Sequence, residues 1–149
     1  MRILDRNDVD FIYAMSCEYK IYYQYHPPFV TKESIIEDMK ALPPNKGYDN
    51  KYYIVFFEED SLSANMDSIL GYPTDEITFI GLFMTNVHHQ NKGVGSKIIQ
   101  DVCNYLKQLG YKKVRIGVDK ENPQSNSFWK KNGFYLISTK EYKVMELTL

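Results

Sequence analysis

Cysteine is scarce in this chain: Cys17 and Cys103 are the only two in 149 residues. Both fall in stretches of helical pattern and form no metal-like cluster, so the reading is reduced thiols, a cytoplasmic protein and no metal site. Long hydrophobic runs are missing as well. No segment approaches the ~20 consecutive apolar residues that a membrane span needs, and Met1-Arg2-Ile3-Leu4-Asp5-Arg6 lacks the apolar region of a signal peptide. An excess of positive charge is also lacking, since 18 Lys and Arg stand against 19 Asp and Glu. With no nucleic-acid-binding motif either, neither a membrane nor a nucleic acid is expected as a partner. No repeat, low-complexity tract or linker divides the chain, which reads as one domain over 1–149, large enough to bury a core.

Apolar periodicity supplies the layout. Residues 1–4 read as a short strand. Val9, Ile12, Tyr13, Cys17 and Ile21 recur near helical spacing and predict a helix over 8–25, with Asn7 as cap and Pro27-Pro28 as stop. Thr31 caps a second helix to about Leu42, which Pro43-Pro44 end. Strands are expected over 52–59, 61–70 and 77–87, a helix over 94–109, a strand over 112–118, a short helix over 124–132, and a closing strand pair over 134–138 and 142–147. Strands first antiparallel and later joined by helical crossovers give an α/β, α+β mixed architecture, a mixed sheet flanked by helices.

Between the long strand and its following helix stands Gln90-Asn91-Lys92-Gly93-Val94-Gly95-Ser96. The first N–H groups of a helix lack intrahelical partners and carry partial positive charge, so strand, glycine loop and helix together suit an anion. The loop is not a Walker loop, having one residue between its glycines and no Gly-Lys-Ser/Thr. Nor is it a dinucleotide fingerprint, whose third glycine would fall at Ile98. On its own the pair reads equally well as a helix start. Charge adds a second sign: residues 1–90 hold 14 acids and 7 bases, residues 91–149 hold 5 acids and 11 bases. The basic part carries the loop, with Lys92, Lys97, Lys130 and Lys131 nearest, and would steer a polyanion in; each lysine taken singly reads as an ordinary solvated one.

Downstream lies Asn122-Pro123-Gln124-Ser125-Asn126-Ser127-Phe128-Trp129-Lys130-Lys131-Asn132-Gly133-Phe134. In order and spacing, the two motifs resemble the GCN5-related N-acetyltransferase (GNAT) superfamily. Gln90, Gly93 and Gly95 match its pyrophosphate loop; Asn122, Ser125, Phe128, Lys131, Gly133 and Phe134 match the helix that closes over the pantetheine arm. The resemblance implies the GNAT-like acyl-CoA N-acyltransferase fold, a central mixed, mostly antiparallel sheet flanked by helices, with acetyl-CoA as acyl-donor cosubstrate. It implies cofactor contacts at Thr85, Asn86 and Val87, through Gln90, Asn91, Lys92, Gly93, Val94, Gly95 and Ser96, and at Asn122, Ser125, Phe128 and Lys131. Homodimers are common among such proteins, and the closing strands could pair across one.

The activity so implied is transfer of an acetyl group to a primary amine of a small molecule or protein, by direct attack in a ternary complex, since no cysteine lies near either motif. Transfer needs a route for the amine proton, polarisation of the thioester oxygen and a proton for the leaving thiolate. Asp75 and Glu76, at the start of the central strand, are the nearest carboxylates and the expected catalytic base; both also read as solvated strand-end acids. His88 and His89 flank the loop rather than the thioester. Many relatives carry a tyrosine two residues before the motif lysine as the acid. Here that slot is Trp129, whose indole N–H is no acid at useful pH. Ser125, Asn126, Ser127 and Tyr135 lie close but do not match the slot, which leaves water or another tyrosine. The same departure suits an alternative, a non-catalytic acyl-CoA sensor or interaction module. Tyr19, Tyr22, Tyr23, Tyr25, His26 and Phe29 gather aromatic surface that reads either as core or as a pocket for an ammonium acceptor.

Overall fold

The structure, a computed structural model, describes residues 2–3, 31–43, 47, 50–58, 61–86, 93–139 and 141–149. Within them the chain runs β1 (Arg2–Ile3), α1 (Lys32–Lys40), β2 (Lys51–Glu58), β3 (Ser61–Leu70), β4 (Ile77–Thr85), α2 (Val94–Gln108), β5 (Lys113–Val118), α3 (Pro123–Lys131), β6 (Tyr135–Thr139) and β7 (Lys143–Thr148). Each expected element that falls on described residues is present, with its ends within two residues. The helix expected over 8–25, and with it Cys17, lies outside the described residues.

Local chemistry sets the helix ends. At α1, Thr31 Oγ1 accepts from Ser34 N (3.0 Å) while Ser34 Oγ accepts from Thr31 N (3.0 Å), a reciprocal cap. Helix α2 ends where Gly110 takes φ +98°, with Gly110 N donating to Lys107 O (3.0 Å) and Tyr111 N to Leu106 O (3.1 Å). The same pair of bonds closes α3 at Gly133 (φ +89°), which turns Phe134 into the core. The Gly-Phe that ends the second motif is therefore a helix stop followed by an anchor.

The strands form a seven-stranded sheet ordered β1-β2-β3-β4-β5-β7-β6. Every neighbouring pair is antiparallel except β4 with β5. The closing pair is inverted relative to chain order: β7 lies inside against β5, and β6 becomes the edge, its five residues all exposed. Ile99, Cys103 and Leu106 of α2 recur at helical spacing and pack with Trp129 and Phe134 on one face of the sheet, against Met66, Ile80, Val114, Ile116, Val118 and Met145. Among the described residues no helix is long and apolar enough to cross a membrane.

Two departures from regular pairing shape the centre of the sheet. β4 and β5 pair from Ile77 and Lys113 only as far as Ile80 and Ile116, although both strands continue. At that point β4 carries a bulge: Asp67 faces Leu82 and Ser68 faces Ile80, which leaves Gly81 without an opposite number on β3. A bulge bends its strand and ends pairing on one side. The sheet therefore splits open beyond Ile80.

Candidate active site

The split is a cleft of about 220 Å³ that runs through the sheet. One wall is Phe79, Gly81, Leu82 and Phe83 of β4; the other is Ile116, Gly117 and Val118 of β5, followed by Asp119. Ser125 and Trp129 of α3 close it on the helical side, and Tyr142, from the turn between β6 and β7, stands at its other mouth. Two glycines border it. A side-chain carbon on Gly117 would lie 3.1 Å from the Tyr142 ring, and one on Gly81 would lie 3.4 Å from Asp67 Oδ2.

In an antiparallel pair, alternate residues direct their N–H and C=O groups toward the partner and away from it. Asn86 N donates to Ser63 O (2.7 Å), so Asn86 faces β3. Counting back, Met84 and Leu82 also face β3, while Thr85 and Phe83 turn theirs to the side that β5 has left. Of the expected backbone contacts, Thr85 thus faces the split and Asn86 does not. Phe83 joins it, a residue that sequence reading passed over because strand alternation cannot be phased through a bulge. Val87, Gln90, Asn91 and Lys92, like His88 and His89, lie outside the described residues.

The loop's two glycines do different work. Gly93 precedes α2 with φ +78° and no side-chain cap, and a side-chain carbon there would meet nothing within 4 Å. The first α2 bond is Lys97 N to Gly93 O (3.0 Å), so the N–H groups of Val94, Gly95 and Ser96 precede the intrahelical ladder. Gly95 is instead a packing site: a side-chain carbon would lie 3.1 Å from Thr85 Cγ2 and 3.2 Å from the Phe128 ring. Gly95 therefore sets the start of α2 directly against the end of β4. Phase and closeness were both invisible in the bare pattern Gly-x-Gly.

The second motif is also largely structural. Asn122 is 1% exposed and caps α3, accepting from Ser125 N (3.2 Å). Asn126 donates to Asn122 O (2.7 Å) and Asp119 O (3.2 Å) and accepts from Lys143 Nζ (3.1 Å), so it ties α3 to the end of β5 and to the start of β7 beside Tyr142. Asn132 donates to Ser96 Oγ (3.2 Å), fastening α3 to the first turn of α2. Phe128 stacks on Phe83 (6.0 Å), and Trp129 sits in the same cluster, 5.0 Å from Phe128 and 4.9 Å from Phe134. Lys97, Lys130 and Lys131 are exposed.

The expected base lies away from the cleft. Asp75 and Glu76 are exposed in the turn ahead of β4, and neither lines the cleft. Glu76 pairs with Lys112 (2.9 Å), whose hydrogen bond and charge hold its carboxyl below the ordinary range, away from the range of a base at neutral pH. Asp119 is the one carboxylate among the described residues that line the cleft. Behind the walls are two ion pairs that reading by motif had no means to find. Lys51 Nζ reaches Asp67 Oδ2 (3.2 Å) and Ala41 O (2.6 Å) beside the Gly81 bulge. Glu146, 3% exposed, accepts from Arg115 Nε (2.6 Å) and Tyr135 OH (3.0 Å). Burial alone would raise the Glu146 pKa, but the hydrogen bonds from Arg115 and Tyr135 and the Arg115 charge bring it down. Cys103 has the opposite balance, and burial pushes its thiol up to about 11.

The model of the acetyltransferase (GNAT) family matches residues 14–134. The chain belongs to this family. GNAT acetyltransferases use acetyl-CoA, so acetyl-CoA is the cosubstrate, and the open left-handed Gly93 with the helix N-terminus behind it fits a phosphate-bearing coenzyme. The GNAT fold is matched closely by solved structures. An acetyltransferase from Thermus thermophilus is 18% identical at a TM-score of 0.86, over 99% of this chain and 94% of that one. The PaiA N-acetyltransferase from Thermoplasma acidophilum, in complex with coenzyme A, is 16% identical at 0.77, over 99% and 97%. The ribosomal-protein-S18-alanine N-acetyltransferase from Escherichia coli is 12% identical at 0.71, over 99% and 91%. At these identities the likeness is one of fold. No curated protein matches the sequence significantly.

Proposed function

We propose that the chain is an acetyl-CoA-dependent N-acetyltransferase that acetylates a primary amine of a small molecule or protein by direct attack in a ternary complex. The supporting observations are the cleft where β4 leaves β5, lined by Phe83, and the packing of Gly95 at the start of α2 against Thr85, two residues further along β4. When bound, acetyl-CoA supplies an activated thioester carbonyl. The N–H groups of Gly93, Val94, Gly95 and Ser96, with Gln90, Asn91 and Lys92 of the same loop, hold the pyrophosphate. Phe83 offers its backbone to the pantetheine arm as a strand partner in place of β5, with Thr85 beside it against the start of α2, and Phe128 and Trp129 keep water from that edge. Asn122 and Ser125 act through the shape of α3, and Lys131 adds charge at its end.

Asp119 is assigned to receive the amine proton, since it is the carboxylate at the cleft. A covalent route through Cys103 is disfavoured, because a buried thiol with so high a pKa is protonated and inert. The aromatic residues between Tyr19 and Phe29 lie outside the described residues, and the acceptor is named no further than a primary amine. Calorimetric titration with acetyl-CoA, with NAD and ATP as controls, is the first test. Micromolar binding of acetyl-CoA alone is expected; equal binding of all three overturns the assignment. Initial rates with an amine that releases thiol should give intersecting lines, and parallel lines would exclude the ternary complex. Trp129 in the usual tyrosine slot supports a second reading, a non-catalytic acyl-CoA sensor, which binding without acceptor-stimulated thiol release would favour.

A further inference from the structure

We propose that Tyr142 is the proton donor to the coenzyme sulfur, a role that rests on the acetyltransferase reading above. Acetyl transfer forms an N–C bond and breaks a C–S bond. The proton shed by nitrogen passes to Asp119 or water, the Tyr142 hydroxyl proton passes to the sulfur, and solvent restores the phenol at the cleft mouth. The usual helical slot cannot supply this proton. Trp129 is 4% exposed and enclosed by Phe83, Phe128 and Phe134, with ring centroids 4.9 to 5.9 Å away. Its ring is part of the core, and its N–H is not acidic.

Tyr142 is the one phenol among the described residues that line the cleft, and it stands opposite Trp129. Its ring lies over Gly117, one residue beyond the last β4–β5 pair, so close that a side-chain carbon there would have to push the ring aside. The neighbouring Lys143 donates to Asn126 Oδ1, so the turn is braced to α3 and to Asp119 O through one buried amide. The absence of a side chain at Gly117 and the brace at Lys143 both serve to hold one aromatic ring at the split. Tyr142 is 47% exposed, which keeps it in proton exchange with solvent.

The test avoids dependence on the unknown amine. A free thiol such as that of coenzyme A titrates near about 8.5. A hydroxyl donating to the bound sulfur favours thiolate, so the bound thiol titrates lower, and affinity rises with pH between the bound and free values. Calorimetry should show wild-type affinity for coenzyme A rising about three- to tenfold from pH 7 to pH 9, a shift of up to about one pKa unit. Acetyl-CoA, which has no thiol, should show no such rise. Tyr142→Phe keeps the ring over Gly117; it should bind acetyl-CoA as wild type does and lose the rise for coenzyme A.

The other charged groups around the cleft are unchanged by the substitution. Among the described residues they are Asp119 just past β5, Lys143 held by Asn126, Arg115 held by Glu146, and the Lys51–Asp67 pair beside Gly81; the cleft residues of β4 and α3 carry no charge. An equal rise in both proteins would overturn the proposal. With an accepted amine, Tyr142→Phe should lower kcat by about 10²- to 10⁴-fold with little change in KM for the amine, and turnover within threefold of wild type would also overturn it. Failure of the wild type itself to bind coenzyme A would instead bring down the acetyltransferase reading, and this assignment with it.

Discussion

Gly93→Glu separates binding from folding more cleanly than any other change at the loop. Gly93 has open space where the new side chain would start, so the cost to the fold is the left-handed backbone, about 1–2 kcal/mol for a residue with a side chain. An acid next to a helix N-terminus returns about 0.3–1 kcal/mol of that, and the net loss is about 1 kcal/mol. For a domain of this size that is a fall in Tm of roughly 2–4 °C. Binding should respond far more. A carboxylate about 4 Å from one phosphate charge costs about 1 kcal/mol at the dielectric of water and about 4 kcal/mol at that of a protein surface. Two pyrophosphate charges then cost at least about 2 kcal/mol, or roughly thirtyfold in Kd. The assay is calorimetric titration of acetyl-CoA alongside a thermal melt, with Gly93→Ala as the variant that carries the strain without the charge. Unchanged affinity in a folded Gly93→Glu protein would refute the loop as the pyrophosphate site. Gly95→Glu is no substitute, since its side chain collides with Thr85 and Phe128 and would report on packing.

Glu76→Gln should leave turnover within twofold of wild type and the Tm nearly unchanged, because the Glu76–Lys112 pair is exposed on both sides; a tenfold loss of turnover would return Glu76 to the mechanism. Asp119→Asn should lower turnover at neutral pH by about tenfold or more while acetyl-CoA affinity, by calorimetry, stays within threefold; equal turnover would leave solvent as the base. Glu146→Gln should destabilise by about 1–3 kcal/mol in chemical denaturation, below the usual cost for a fully buried pair because Arg115 is 26% exposed. Because the folded Glu146 pKa is depressed, its contribution is present above the unfolded value, near about 4.3, and is lost as pH falls through the folded one. The variant should therefore show a flatter acid limb below about pH 4, and an identical limb would count against the ion pair.

The fold was largely legible because its elements announce their own boundaries. Thr31 caps its helix as expected, and the apolar run from Val94 to Leu109 marks the next, although the buried phase within it is Ile99, Cys103 and Leu106 rather than Ile98 and Val102. What escaped was relational. Nothing in the hairpin Phe134 to Leu147 tells which strand lies inside, and burial decides it by placing Met145 and Glu146, not Leu136, next to β5. The expected base, Asp75 or Glu76, lies away from the cleft for a metric reason. Glu76 and Gly81 are five positions apart along an extended chain, roughly 16 Å, so closeness in sequence carried no closeness in space. Asp119 follows β5 with no motif around it, and Tyr142 sits in the turn just ahead of β7; both are at the cleft only because β5 and β7 are neighbours.

The bulge at Gly81 acts as a phase shift in the central strand. On either side of it the in-and-out alternation is out of step by one, so Ile80 and Phe83 both reach the helical face although three positions separate them. Removing that single residue would bring the halves back into step. Leu82 and Met84 would then stand where Gly81 and Phe83 stand now, with their groups turned the other way, and β5 would have no reason to part from β4 at Ile116. The strand would be more regular and the sheet better paired, but the opening through which one molecule hands a group to another would be closed. In this protein an extra glycine is the difference between a sheet and a passage.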